Sequence, residues 1–255
     1  LGIALANMGA VYGHQGRYDE AIDHLQRALE ISSKVKGEKH TDVADICQKI
    51  GSIGRENEKY DVSLEYYGRA LTIQRNVLGE EHQDVASTLH MMGIVYMEQS
   101  RYTEALEQYE HALAIKRKVF GEEHRDVAST LHNMGIVHRK QAKYSEALEH
   151  FERALAIRRK VLGEEHMDVA DTLLKIGEML DQHVKYEQAL EHYEQALAIW
   201  CTKKGEEHKT VVRIIFQMGG AYFYLAKYEE ALTQYKHSYA VHRKVGGNDH
   251  LLTAT

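Results

Sequence analysis

The sequence predicts an all-α fold, a right-handed superhelical solenoid of about six antiparallel helix-turn-helix repeats. One observation is a glycine that returns every 42 residues without a slip, at Gly9, Gly51, Gly93, Gly135, Gly177 and Gly219. The other is that each interval holds two stretches in which apolar residues return every three or four positions, the period of an amphipathic helix. A fixed period of this length is typical of stacked repeats, which bury their apolar faces against their neighbours.

The same register divides the chain into units, and we expect a single array over residues 1–255. The units run roughly over 1–40, 41–82, 83–124, 125–166, 167–208 and 209–249, and residues 250–255 begin a seventh. In the fourth unit, helix A is predicted from about Arg125 to Gln141 and helix B from about Ser145 to Leu162. Because the chain starts without Met, partway through a helix A, and stops within a unit, we expect a fragment of a longer repeat protein.

Small residues on both helices predict close packing within each helical pair. A glycine inside a helix costs about 0.5–1 kcal/mol relative to alanine, so its return at one position requires a steric reason. We expect the glycine of helix A to face small residues of helix B, such as Ala147 and Ala154. The aromatic residues of helix B, such as Phe151 and Tyr193, are predicted to form a repeated core, since periodic apolar residues usually mark a buried face.

A recurring loop separates the units, with the sequence GEEH at 79–82, 121–124, 163–166 and 205–208, GEKH at 37–40 and GNDH at 247–250. As a connector, its Gly would end helix B in a left-handed conformation, and its His would precede helix A. The Asp two residues after the His would stabilise the positive end of helix A. A column of metal sites is the alternative, because Glu and His bind metal ions. Neighbouring loops would lie about 10 Å apart, too far to share an ion whose ligands lie about 2 Å from it, so we predict no metal site.

Composition and motifs argue against several classes of function. A net charge of −6 argues against nucleic-acid binding, which uses basic surfaces, and no apolar run reaches the roughly 18 residues of a membrane span. Cys47 and Cys201 form no CxxC motif, so we expect a reducing, cytoplasmic location. The motifs GxxxxGK[ST], GxGxxG, HExxH and GxSxG are all absent. We therefore expect no enzymatic activity and no cofactor.

The motifs together resemble the tetratricopeptide repeat (TPR). The resemblance is carried by the small residues of the two helices, the Tyr at the turn and the Ala-Leu pair of helix B, as in Tyr144 and Ala154. The 42-residue length, the Leu-Gly-x-x-His-x-Asp-Val-Ala start and the Ala-Leu-x-Ile-x-x-Lys-x-Leu-Gly end resemble the kinesin light chain variety over essentially the whole chain. This resemblance implies a concave face, lined by the A helices, that grips extended peptides, often through an Asn one residue before the apolar-Gly pair.

The candidate peptide-binding residues lie on these A helices. The column of the gripping Asn holds Asn7, Lys49, Met91, Asn133, Lys175 and Gln217, of which Asn7 and Asn133 match the family. Neighbouring inward-facing positions add Arg55, His90, His132, Arg139, Lys140, Phe216 and Phe223. An Asn amide both donates and accepts a hydrogen bond, so it can pair with any peptide backbone. Because the lysines and arginines attract carboxylates, we expect a protein or peptide ligand with acidic residues around an apolar anchor.

Three functions remain open at this point. The leading one is a protein–protein interaction scaffold without catalysis. The second is an architectural array that self-associates through its terminal repeats, which the near-identity of units three and four suggests. The third is the regulatory sensor arm of a larger signalling protein. Phe216 and Phe223 occupy positions that are polar in three other units each, so they would contact either a ligand or a further unit.

Overall fold

The computed structural model describes residues 1–246, which form twelve α-helices and no strand. The helices are α1 (Gly2–His14), α2 (Tyr18–Lys36), α3 (Thr41–Glu56), α4 (Tyr60–Leu78), α5 (Gln83–Glu98), α6 (Tyr102–Phe120), α7 (Arg125–Lys140), α8 (Tyr144–Leu162), α9 (Met167–Gln182), α10 (Tyr186–Lys204), α11 (Lys209–Tyr224) and α12 (Tyr228–Gly246). The all-α class is confirmed, and the bounds of α7 and α8 match the predicted ones to within one residue. The GNDH loop and the predicted start of a seventh unit lie outside the described residues.

Contacts between helices divide the chain into two compact units. Unit 1 spans Leu1–Glu122 and holds α1–α6, and unit 2 spans Glu123–Thr255 and holds α7–α12. In each unit the two helices of a repeat pack as a pair, and helix B of one repeat packs on helix A of the next, as α2 does on α3 and α8 on α9. Each unit is therefore a stack of three helical pairs. A single array over the whole chain stays a prediction.

The two helices of a pair pack closely where a glycine of helix A lies against an aromatic ring of helix B. A Cβ placed on Gly177 would lie 2.6 Å from a ring carbon of Tyr193, and one placed on Gly135 would lie 2.8 Å from a ring carbon of Phe151. Both rings are fully buried, so the prediction that these aromatics form the core is confirmed. At these two glycines the nearest atoms belong to the rings and not to the alanines of helix B, whereas a Cβ on Gly9 would lie 2.9 Å from the backbone oxygen of Ala21. The glycine leaves the space that the ring fills.

The four-residue loop between repeats ends one helix and starts the next. Gly163 has φ 86° and ψ 159°, so the predicted positive φ is present, but ψ is extended rather than left-handed helical. This region of backbone conformation is open essentially to glycine alone. His166 is the N-cap of α9, and its Nδ1 accepts a hydrogen bond from the backbone N–H of Asp168 at 3.1 Å. The same bond recurs at His40, His82, His124 and His208. Each His thus satisfies one of the free N–H groups at a helix start.

The three-residue turn inside each pair holds a feature that the sequence analysis missed. Its middle residue has a positive φ, from 55° to 62°, in five repeats, at Glu58, Ser100, Ala142, Val184 and Ala226, and φ is 72° at Gly16. In the fourth repeat, the N–H of Lys143 then donates to the carbonyl oxygen of His138 at 2.9 Å, which closes helix A as in a Schellman motif. Helix B begins at the following Tyr without a side-chain cap, and Thr103 and Ser145 lie in its first turn.

Candidate functional site

The A helices of unit 2 bring three cationic side chains to one carboxylate. Lys175 Nζ lies 3.0 Å from Glu178 Oε2, and Arg139 Nη1 lies 3.6 Å from the same oxygen. Arg213 Nη1 lies 3.7 Å from Glu178 Oε1. Arg139 belongs to α7, Lys175 and Glu178 to α9, and Arg213 to α11. This cationic cluster therefore joins all three A helices of the unit.

Burial decides which members of the cationic cluster can reach a ligand. The Glu178 side chain is 9% exposed, those of Arg139 and Lys175 are 18% exposed, and that of Arg213 is 51% exposed. A buried carboxylate requires pairing, and Lys175 and Arg139 supply it. Asp181, one turn further along α9, adds a second carboxyl, whose pKa is raised by burial. Asp171, one turn before Lys175, is a third carboxyl that interacts with this lysine. The carboxyl groups thus equal the cations in number, and Arg213 is the most accessible cation of the cluster.

The other predicted residues of unit 2 differ in how exposed their side chains are. Asn133 and Gln217 are half-buried and share a register column with Lys175, while Lys140 is exposed. Phe216 and Phe223 both lie on α11 and expose more than half of their surface. Of the predicted residues, Lys175 and Arg139 both lie near one carboxylate, that of Glu178.

His132 was predicted to line the concave face, but the structure places it in a buried polar network. Its Nδ1 lies 3.2 Å from Nη1 of Arg158, and its Nε2 lies 3.4 Å from Oδ2 of Asp171. Arg158 is also buried and donates to the backbone oxygen of Asp168 at 2.9 Å. Burial lowers the pKa of His132, which favours the neutral ring. In this conformation His132 joins two repeats and does not reach a ligand.

In unit 1, Asn7 and Lys49 lie on the same cavity wall. They line a cavity of about 230 Å³ together with Asp45. Lys49 and Asp45 also line an adjacent cavity of about 360 Å³. Burial raises the pKa of Asp45, and the neighbouring carboxylates of Asp84 and Asp42 add to this shift. The face of unit 1 therefore places a carboxyl one helical turn before its lysine, as Asp171 lies one turn before Lys175 in unit 2.

The remaining predicted residues of unit 1 are less available. Arg55 Nη1 lies 2.9 Å from Oε1 of Glu98, so its charge is already paired, and Met91 is half-buried. His90 is buried, and burial together with the nearby Lys116 lowers its pKa to about 3. The structure therefore does not present His90 as a ligand-binding side chain.

Sequence reasoning missed Arg213 and the part that Glu178 plays. Arg213 lies four residues before Gln217, so both occupy one face of α11, which was the available signal. Glu178 lies three residues after Lys175 on α9, and that spacing allows an ion pair along the helix. A residue type at one position does not reveal that its neighbours converge from two other helices.

Metal ligands, cysteines and apolar helices are the other features of the described residues that bear on function. Among residues 1–246, no three His, Cys, Asp or Glu side chains come together as a metal ion would require. The thiol of Cys47 is buried and that of Cys201 is partly buried, and both are free. None of the described helices combines the length and the apolar character that crossing a membrane requires.

The two-helix repeat and its register match a known family. A family model described as tetratricopeptide repeat matches residues 1–55, 48–118, 84–160 and 126–202, and a second model with this description matches 217–251. The chain belongs to the tetratricopeptide repeat family. No curated protein sequence matches it.

Solved structures share the TPR fold with this chain. BtubC (BKLC) from P. vanneervenii is 18% identical, with a TM-score of 0.78 over 90% of this chain and 92% of that one. Nearly identical TPR-like repeats of kinesin light chain type from Podosopora anserina are 21% identical, with a TM-score of 0.69 over 82% and 99%. A Rap protein complexed with Competence and Sporulation Factor is 17% identical, with a TM-score of 0.62 over 94% and 74%. These likenesses confirm the resemblance to kinesin light chain-like repeats at the level of the fold.

Proposed function

We propose that this TPR chain is a non-catalytic protein-interaction scaffold that binds an extended segment of a partner protein on the A helices of unit 2. The observation that carries the proposal is the cationic cluster of Arg139, Lys175 and Arg213 around Glu178. An extended segment advances about 3.3 Å per residue, and packed helices lie about 8–10 Å apart. A segment that crosses α7, α9 and α11 would therefore present about three residues to each helix.

The charges of this surface favour an acidic residue in the bound segment. Arg213 is half exposed, and a guanidinium can bind a carboxylate through two parallel hydrogen bonds. Glu178 holds Lys175 and Arg139 in place, which reduces the conformational entropy lost when they meet a ligand. An exposed cation such as Arg213 also speeds the approach of an acidic partner and discriminates against basic ones. Phe223, on the same helix as Arg213, offers an exposed ring for the apolar anchor.

Two further observations support a polypeptide ligand. The Rap protein that shares this fold was solved with Competence and Sporulation Factor bound, so the fold accommodates a binding partner in that protein. In this chain, Asn133 and Gln217 flank the register position of Lys175 on the neighbouring A helices. Amide side chains both donate and accept hydrogen bonds, as an extended backbone requires of its binding surface.

The proposal is tested by selecting peptides from a random library on the purified chain and measuring their affinities by calorimetry. We expect the selected peptides to carry Asp or Glu near an apolar residue. Arg213→Ala should weaken their binding by roughly 10- to 100-fold, in the range reported for paired charges at interfaces. Lys204→Ala is the matched control, because it removes an exposed cation from the end of α10 and should leave the affinity unchanged. Equal loss in both variants, or selected peptides without acidic residues, would show that the site is misplaced.

A further inference from the structure

The fifth repeat buries a tyrosine whose hydroxyl group has no hydrogen-bond partner. Tyr193 is fully buried, and its Oη forms no hydrogen bond with any of the described residues. In the second repeat, the hydroxyl of Tyr67 at the same register position lies 2.9 Å from Oγ of Ser52 and is hydrogen-bonded to it. Glu178 replaces Ser52 in the fifth repeat, and its carboxylate pairs with the cationic cluster. Because a buried hydroxyl without a partner is costly, a further polar group is expected there.

Asp181 of α9 places a carboxyl group close to this hydroxyl. Its Oδ1 is buried and has no hydrogen-bond partner within residues 1–246. Burial and then the charge of Asp181 raise the pKa of Tyr193, so the two groups are neighbours. The pKa of Asp181 itself is raised by burial alone, so no described cation offsets it. At the same register position, Arg55 and Arg139 each lie near a carboxylate of the following A helix, whereas the fifth repeat carries an unpaired carboxyl.

Gly220 of α11 leaves open space beside these groups. A Cβ on Gly220 would have one described neighbour within 4 Å outside its own helical surroundings, Oη of Tyr235 at 3.7 Å. Burial and the charges of Tyr224 and Asp181 raise the pKa of Tyr235, which places Asp181 near this hydroxyl as well. The other five repeats carry a side chain at the position of Gly220. A glycine destabilises a helix relative to alanine, and no close contact requires one at position 220.

We propose that this space receives a Lys or Arg side chain of the bound segment, an inference that rests on the proposed function. Asp181 pairs with the positive charge of that side chain. The hydroxyl groups of Tyr193 and Tyr235 accept hydrogen bonds from its N–H groups. A neutral side chain in this space leaves the carboxylate unpaired, so the site discriminates in favour of a basic residue.

The spacing along α11 relates this contact to the one at Arg213. Arg213 and Gly220 are seven residues apart on that helix, which corresponds to about 10 Å. An extended segment covers this distance with about three residues. The bound segment therefore carries its acidic residue and its basic residue within about three positions of each other.

The test compares a peptide selected on the unaltered chain with a copy in which Met replaces the basic residue. We expect the selected peptides to carry Lys or Arg within about three residues of Asp or Glu. Asp181→Asn should weaken binding of the selected peptide roughly 10- to 100-fold and should not weaken binding of the Met peptide. Glu191→Gln is the matched control, because it removes an exposed carboxylate from α10 and should leave both affinities unchanged. Equal losses for the two peptides, or selected peptides without a basic residue, overturn the inference.

Gly220→Ala separates binding from stability. The added methyl group has room in the free chain, so helix propensity should raise the urea midpoint. The same methyl group occupies space that the basic side chain needs, so the selected peptide should bind about tenfold more weakly. An unchanged affinity for Gly220→Ala, together with a loss for Arg213→Ala, overturns this inference and leaves the proposed function standing. If no acidic peptide depends on Arg213, the proposed function fails and this inference fails with it.

Discussion

The contact between Gly177 of α9 and Tyr193 of α10 leads to a prediction whose magnitude follows from the structure. A Cβ at position 177 would lie 2.6 and 2.7 Å from two ring carbons of Tyr193, which is fully buried. The ring cannot move aside without displacing packed neighbours, and overpacking of this kind costs about 1–3 kcal/mol. Alanine gains about 1 kcal/mol over glycine from helix propensity. Because two contacts fall below 3 Å, we take the upper part of the range and expect Gly177→Ala to lose about 1–2 kcal/mol of unfolding free energy.

Gly68 of α4 provides the matched control for this substitution. Among the described residues, no atom lies within 4 Å of a Cβ built on Gly68 beyond its own helical surroundings. Only the propensity gain then remains, so Gly68→Ala should stabilise the chain by about 1 kcal/mol. The same chemical change thus has opposite signs at the two positions.

Urea denaturation with two probes measures both effects. The chain has one tryptophan, Trp200, which lies on α10 with Tyr193, so its fluorescence reports on this helical pair. Circular dichroism reports on all helices, including α4. We expect a lower urea midpoint for Gly177→Ala and a higher one for Gly68→Ala. A raised midpoint for Gly177→Ala would refute the steric reason for the recurring glycine.

Five further substitutions test the turns, the caps and a buried histidine by the same urea assay. Val184 has φ 62°, a conformation that glycine adopts more readily, so Val184→Gly should stabilise the chain by about 1 kcal/mol. Gly16→Ala, at the same turn position, should destabilise it, and a lower unfolding free energy for Val184→Gly would contradict this reasoning. His166→Ala removes an N-cap and should cost about 1 kcal/mol, and His166→Asn should restore most of it; equal stability of all three chains argues against the cap. Burial lowers the pKa of His90 to about 3, so as the pH falls the unfolded chain protonates His90 before the folded chain does. The unfolding free energy therefore falls as the pH drops from about 6.5 toward 3. His90→Leu, which copies Leu174 at the same register position, should reduce the loss between pH 7 and pH 5 by about 2 kcal/mol; an unchanged pH dependence refutes this.

The fold followed from the sequence because its period has no insertions. One helical pair, such as the one from Arg125 to Leu162, fixes the bounds of all the others, and the structure repeats them. The conformation of Val184 was hidden because a three-residue connection imposes positive φ whatever residue is present, and only Gly16 carries the residue that would signal it. The aromatic ring opposite Gly177 was hidden too, since spacing along one helix does not reveal which residue of the partner helix approaches closest.

The candidate site was predictable only in part. The register placed Lys175 and Arg139 on the right helices, and the structure brings them together. The register did not reveal that Glu178 forms ion pairs with these two cations, or that Arg213 of α11 also lies near Glu178. Contacts between helices depend on distances that the register does not give. For His132, the sequence did hold a signal, since Leu174 occupies the same register position and an apolar residue there suggests a buried joint.

The central claim is that the A helices of unit 2 bind an acidic segment through Arg213. The most direct test is a charge exchange across this contact, measured by calorimetry with a peptide selected on the unaltered chain. Arg213→Glu should weaken binding of the acidic peptide by roughly 100-fold, and changing the peptide's acidic residue to Lys should restore most of the affinity for this variant. If the two changes are additive, with no restoration, Arg213 does not meet that residue and the account of the site is wrong.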